Sequence, residues 1–155
     1  MSEMEVKIVK LEPLRVVSFH GFGEGPEDIA FDKLRAWAKS KGLLDDLEKH
    51  RVFGFNNPDP SPGSPNYGYE VWIEVAEGMA VAEGLTVKQF GGGLYGVTRV
   101  VGVENIGPGW GKLVAWRERS PYHSANHQWL EQSLTPGAEV SMEALTLDLY
   151  IPIAE

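Results

Sequence analysis

Cysteine is absent from this 155-residue chain, which excludes disulfides, thiolate metal sites, iron–sulfur clusters and cysteine nucleophiles. Positive charge is scarce: 14 Lys and Arg stand against 22 Asp and Glu, a formal net charge of −8. Residues 1–80 carry 9 basic and 14 acidic groups, and residues 81–155 carry 5 and 8. Neither stretch offers the basic surface that phosphate backbones require, since that affinity comes from neutralising phosphates and releasing counterions. Direct nucleic-acid binding is therefore not expected. Long apolar runs are also missing, and nothing approaches the ~20 residues needed to span a bilayer. The start, Met1-Ser2-Glu3-Met4-Glu5, lacks the basic and then apolar profile of a signal peptide. No membrane association and a cytoplasmic location are the expectations.

Aromatic residues are plentiful. Five Trp, five Tyr and six Phe supply the core of one domain over residues 1–155, which should bury roughly two thirds of the surface its unfolded chain exposes. Two landmarks recur at nearly one offset. Leu34-Arg35-Ala36-Trp37 returns as Leu113-Val114-Ala115-Trp116, 79 residues on. Tyr69-Glu70-Val71-Trp72-Ile73-Glu74-Val75 returns in pattern as Leu147-Asp148-Leu149-Tyr150-Ile151-Pro152-Ile153, 78 residues on. This implies an internal duplication, with pseudo-repeats of about 1–80 and 81–155.

Each copy opens with strand material. Residues 5–8 and 14–19 are separated by Pro13, which removes a ladder donor. Their counterparts are 85–90 and 94–101, joined by Gly91-Gly92-Gly93, which reads as a hairpin turn because no helix start or Lys-Ser/Thr follows to make a phosphate loop. Gly21-Phe22-Gly23-Glu24-Gly25 reads as flexible backbone leading into a helix. That helix starts at Pro26-Glu27-Asp28, with carboxylates at the positive end of the dipole, and Gly42 ends it. Gly107-Pro108 starts a second helix, whose Arg117 and Arg119 suit its negative end. Trp37 and Trp116 read as core. Residues 51–55 and 67–75 are strands around a Pro-rich loop. A short helix is expected around Gln128-Trp129-Leu130-Glu131, and the last strand spans 142–153. The layout is β-β-α-β-β twice, an α+β fold with an antiparallel sheet and helices on one face.

Alternation on the two matched strands singles out candidate chemistry. Tyr69, Val71, Ile73 and Val75 share one face, and so do Leu145, Leu147, Leu149, Ile151 and Ile153; these belong under the helices. The other face pairs an acid with an aromatic two residues on: Glu70 with Trp72, and Asp148 with Tyr150. Under the duplication the two pairs approach each other across a pseudo-axis. An acid among aromatic faces is a receptor for a lipophilic cation. The alternative is a solvated sheet face whose aromatics aid cross-strand pairing. His123 and His127 have the i, i+4 spacing of one helical face, with Glu131 four further on, but the helix lacks the glutamate of a zinc-protease motif and no metal site is expected. His20 and His50 are isolated. No nucleophile elbow, P-loop or dinucleotide fingerprint is present, so no cofactor is expected.

The segments Gly68-Tyr69-Glu70-Val71-Trp72-Ile73, Gly92-Gly93-Leu94-Tyr95-Gly96-Val97, His127-Gln128-Trp129-Leu130-Glu131 and the ending Leu147-Asp148-Leu149-Tyr150-Ile151-Pro152-Ile153 together resemble the GyrI-like small-molecule-binding domain. This is the effector-binding module of AraC- and MerR-type transcription activators, and the resemblance covers almost the whole chain. It implies tandem β-α-β-β modules forming a curved antiparallel sheet, with a ligand cleft between the halves. It also implies an acid on the final strand, here Asp148, with Glu70 as its match in the first half. The walls it implies are Phe55, Trp72, Tyr95, Trp110 and Tyr150.

The chain begins directly with the first strand, so a stand-alone form without a DNA-binding domain is expected. The function the resemblance favours is binding or sequestering of hydrophobic small molecules, cationic ones among them. Two alternatives share the fold. One is a hydrolase of reactive small molecules using Glu70 as general acid or base and Asp148 as its electrostatic partner. The other is a gyrase-inhibitor-like module with a protein partner.

Overall fold

In a computed structural model of the chain, residues 5–136, 141 and 143–155 are described. The expectations for Met1-Ser2-Glu3-Met4 and for Met142 lie outside them; the last strand, expected from 142, begins at Thr146, because Glu143 and Ala144 form a turn. In chain order the elements are β1 (Lys7–Leu11), β2 (Leu14–Gly23), α1 (Pro26–Ser40), β3 (Val52–Asn56), β4 (Tyr67–Glu74), β5 (Thr86–Phe90), β6 (Gly93–Val101), α2 (Ile106–Arg119), β7 (His123–Ser124), β8 (Leu130–Ser133) and β9 (Thr146–Ala154). With the two-residue β7 set aside, this is β-β-α-β-β stated twice, and the fold is α+β. Strand pairing is antiparallel throughout the described ladders.

Two compact units are interleaved along the chain: Leu14–Phe90, and Met1–Pro13 together with Gly91–Glu155. In the Leu14–Phe90 unit the strand order is β3-β4-β2-β5. Register sets Val17 opposite Ile73 and Phe19 opposite Val71, so one sheet face is aliphatic and aromatic. The helix α1 closes that face with Ala30, Leu34 and Ala38, all fully buried. Its start is local chemistry: Gly25 takes a left-handed φ of 63°, Pro26 follows at the first turn, and Glu27 and Asp28 face the positive dipole end. Gly54 has a packing reason, because a Cβ there would collide with the ring and hydroxyl of Tyr69.

The second unit has the order β1-β6-β9-β8, with β7 also on β9. Leu147, Leu149, Ile151 and Ile153 alternate onto the face covered by α2, where Leu113 is fully buried against them. Gly96 lets the Trp116 ring lie on the sheet, since a Cβ would come within 2.5 Å of that ring. Arg117 and Arg119 fall in the last turn of α2, where cations complement the dipole. Each unit thus places its helix on one sheet face only.

Three sequence expectations are corrected. Gly91-Gly92-Gly93 is not a hairpin turn: β5 pairs with β2, whereas β6 pairs with β1 and β9. Each unit therefore completes its sheet with a strand from the other copy of the repeat, an exchange that local turn chemistry does not encode. Gly21 to Gly23 are not a flexible lead-in, because β2 runs through them opposite residues 67–69. The segment 128–131 is not helical. Leu130 and Gln132 alternate with Glu131 and Ser133 on β8, which pairs with β9. The fully buried Leu130 anchors a strand period in a stretch too short for helical periodicity to decide.

Burying a Leu side chain stabilises the fold by about 1.5–3 kcal/mol, and a cavity in its place adds to the loss. Leu34→Ala and Leu113→Ala are each expected to cost about 2–5 kcal/mol in urea unfolding. A loss below ~1 kcal/mol would show that the helix–sheet seams are not packed as described.

Candidate functional site

The face of the Leu14–Phe90 sheet opposite α1 carries Glu70. The period of β4 sends Val71 and Ile73 to the helix and Glu70, Trp72 and Glu74 the other way. A solvated face is excluded here: Glu70 is 3% exposed and Trp72 6%. A buried carboxylate requires donors, and neighbouring segments provide them. Ser18 on β2 donates its hydroxyl to Oε2 at 2.8 Å, and the Trp72 indole N–H reaches the same atom at 2.6 Å. Lys88 on β5 places Nζ 2.6 Å from Oε2. Asn57, just beyond β3, donates Nδ2 to Oε1 at 3.0 Å.

Burial alone pushes the Glu70 carboxyl up. The hydrogen bonds from Lys88, Trp72, Asn57 and Ser18 together outweigh it and hold the group at about 2. The group is therefore ionised at neutral pH. Glu74, four residues on, has its own cation: Arg51 binds it in a fork at 2.8 and 3.0 Å.

Aromatic rings flank the Glu70 carboxylate. Phe55, opposite Glu70 in register, packs edge-on to Trp72 with centroids 4.9 Å apart. Phe90, at the end of β5, lies 5.2 Å from Trp72 on its other contact. The cluster Phe55, Trp72, Phe90 and Glu70, tied by Ser18, Asn57 and Lys88, is contained within one unit.

In the other unit the corresponding pair is Asp148 and Tyr150 on β9. Tyr150 is buried, donates its hydroxyl to Gln132 Oε1 at 2.6 Å, and meets Tyr95 edge-on at 5.4 Å. Tyr95 is fully buried and donates to the Gln128 carbonyl at 2.5 Å. Burial first, and then the neighbouring Tyr150, push its phenol well above the ordinary range, so it remains a donor. His127 closes this group: its ring packs edge-on to Tyr95 at 4.8 Å and its Nε2 donates to the Leu94 carbonyl at 2.7 Å.

Asp148 is handled differently from Glu70. Arg99, directly opposite in register, grips it in a fork at 2.8 and 3.2 Å. The guanidinium side is largely exposed, and the hydrogen bond with Asp148 raises the Arg99 pKa further. Asp148 also borders a cavity of about 640 Å³ whose lining includes Lys7, Val97, Arg99, Val101 and Lys112. None of the predicted aromatic wall residues lines it.

Of the residues singled out from sequence, Phe55, Trp72 and Glu70 come together in one cluster, and Tyr95 and Tyr150 in another. Trp110 does not join either. It packs on the helix-covered core with Leu149 and its neighbours, stacks obliquely on Trp129 at 5.4 Å, and donates to Glu131 at 3.2 Å. His123 and His127 share no helical face, since His123 is on β7 and His127 follows it in a non-helical segment. Among the described residues no group of His, Asp and Glu is arranged to hold a metal ion. No helix of the described residues is long and apolar enough to cross a membrane. Ser18, Asn57, Lys88 and Phe90 were not singled out. Their one sequence signal is a polar Ser interrupting the apolar run of β2.

A depressed carboxyl pKa links stability to pH. The unfolded chain binds the proton more tightly than the folded one, so the contribution is full above the ordinary value of 4.5 and is lost as pH falls through about 2. Urea unfolding of wild type and Glu70→Gln across this window is expected to show wild type losing on the order of 2 kcal/mol relative to the variant. Parallel curves would mean that the four donors do not hold the carboxylate.

A profile of Cass2, integron-associated effector binding protein, matches residues 7–153. Comparison with proteins of curated function gives no match. Among solved structures, a hydrolase from Listeria innocua is similar with a TM-score of 0.70 at 9% identity, covering 99% of this chain and 94% of that one. The C-terminal domain of EcmrR is similar with a TM-score of 0.68 at 10% identity, over 98% of each chain. SAV2435 bound to tetraphenylphosphonium is similar with a TM-score of 0.55 at 13% identity, over 97% of this chain and 94% of that one. At such identities these likenesses show the fold alone. The family match spans nearly the whole chain, and with it the GyrI-like resemblance of the sequence holds: the chain belongs to the Cass2 family of integron-associated effector binding proteins.

Proposed function

We propose that the protein binds hydrophobic small molecules, cationic ones among them, against the Glu70 face of the Leu14–Phe90 unit. The observation that carries this reading is a buried, ionised carboxylate set among the rings of Phe55, Trp72 and Phe90. Ring faces offer dispersion and quadrupole attraction to an aryl cation, and the carboxylate adds Coulomb attraction in a site with little water. Among the described residues Oε1 of Glu70 accepts only the Asn57 amide, which leaves acceptor capacity on that oxygen for a ligand donor. The effector-binding description of the family supports the reading, as does the tetraphenylphosphonium carried by SAV2435. The buried Tyr95 and Tyr150 of the other unit, with Asp148 two residues before Tyr150, are proposed as a second ligand surface on the strength of their rings, since Arg99 already holds Asp148. A cytoplasmic location is retained as part of the proposal.

The same donors weigh against acid–base catalysis by Glu70. A carboxylate held at about 2 is a weak base at neutral pH and no proton donor. Among the readings of this site, binding is therefore favoured over hydrolysis through Glu70.

Titration of tryptophan fluorescence with tetraphenylphosphonium, beside uncharged triphenylphosphine oxide, tests the reading. Saturable quenching by the cation is expected, with Glu70→Gln weakening it about tenfold, or ~1.4 kcal/mol. Trp72→Leu is expected to remove most of the signal and the affinity. A flat response of the folded wild type to both compounds would sink the proposal.

A further inference from the structure

The Glu70 carboxylate is not vacant. Among the described residues its one charged partner is the Lys88 ammonium, 2.6 Å from Oε2, and that bond is the one hydrogen bond Nζ makes with them. The two ends of the pair differ sharply in exposure: the Lys88 side chain is 43% exposed and the Glu70 side chain 4%. Lys88 projects from β5, the outermost strand of its unit, and its backbone is fixed opposite Val16. Phe90, whose ring meets Trp72, stands two residues along the same strand.

We infer that Lys88 is a tethered occupant of the Glu70 cation site, displaced into solvent when a ligand brings its own positive charge, and that it sets the charge selectivity of the site. This rests on the binding reading above. Ser18, Asn57 and Trp72 are uncharged donors and stay in place when a cation exchanges. Lys88 alone must leave, because two cations at one carboxylate repel. Its release requires only side-chain rotation: a long aliphatic stem can stay on the apolar surface while the head group moves to water. The ladder between β5 and β2 is untouched.

Tethering sets the threshold. An ammonium on a short stem competes at the high effective concentration of any intramolecular partner, so a small hydrophilic cation gains nothing by replacing it. A cation carrying aryl groups gains contact with Phe55, Trp72 and Phe90 that Lys88 does not supply, and can displace it. An uncharged aryl compound leaves the pair intact and binds on the rings alone. The site thereby rejects ordinary metal and ammonium ions while admitting lipophilic ones.

Two measurements on the full chain test this. In the first, tetraphenylphosphonium and triphenylphosphine oxide are titrated against wild type, Lys88→Met and Lys88→Arg, each checked for a cooperative melt. Lys88→Met keeps the stem and removes the competitor, and is expected to tighten the phosphonium about tenfold or more while leaving the neutral compound within about twofold. Lys88→Arg is expected to stay near wild type.

The second needs no variant: the Lys88 ammonium NMR signal is followed while wild type is titrated. The phosphonium is expected to shift or broaden it, and the neutral compound to leave it in place. Phosphonium binding to wild type with the Lys88 signal unmoved, or affinity unchanged or weakened in folded Lys88→Met, overturns the competitor role and leaves the binding reading standing. Absence of binding in both wild type and Lys88→Met overturns the two together.

Discussion

A single desolvated carboxylate organises one face of this protein. Taking an ionised carboxyl out of water is costly unless donors replace the solvent, and Glu70 obtains them from β2, β4, β5 and the residue after β3. Each donor is in reach only while strand register is kept, because a slip of one residue would turn Glu70 and Trp72 toward the helix. The network therefore ties three strands and a loop to one register and orients the Trp72 indole by its N–H. Removing one partner would leave a buried polar group unpaired, which costs more than the pair contributes. That asymmetry applies to the uncharged donors Ser18, Asn57 and Trp72, whereas the half-exposed Lys88 can exchange its partner for water.

The duplication shows how one framework supports two different uses of an acid. Glu70 and Asp148 occupy equivalent places on β4 and β9, each two residues before an aromatic. What stands opposite decides the outcome. Arg99 faces Asp148 across the ladder and takes it into a largely exposed fork. His20 faces Glu70, yet its ring turns away to the Asn57 carbonyl at 2.6 Å, and Glu70 is left to the side chains of the sheet face. The shorter Asp reaches a cation at the rim, and the longer Glu reaches a buried set of donors. An exposed ion pair contributes little on its own, whereas a desolvated carboxylate beside aromatic rings is a recognition element.

Much of this was legible in the sequence, for reasons that depend on period. Strict alternation along 67–75 and 145–153 sorted helix-facing from opposite-facing residues correctly, so Glu70 with Trp72 and Asp148 with Tyr150 were found. Gly25-Pro26-Glu27-Asp28 marked a helix start through backbone chemistry that acts locally. Long-range features left no such trace. That β5 pairs with β2, making Lys88 and Phe90 neighbours of Glu70, is a matter of strand exchange; read alone, Lys88 is an ordinary charge on an exposed strand. A Trp in the first turn of a helix fits either a wall or a core, and Trp110 packs against the helix-covered core. The His123 and His127 spacing had meaning only on a helix that does not form.

The central claim is that Glu70 is ionised and held so by its four donors. Its side-chain carboxyl carbon, followed by NMR as the pH is lowered on the folded protein, reports this directly. No midpoint above about pH 3 is expected, with the signal still that of a carboxylate when ordinary glutamates have become protonated. A midpoint at or above the ordinary 4.5 would contradict it, because burial would then be outweighing the donors and Glu70 would be poised to exchange a proton instead of anchoring a cation.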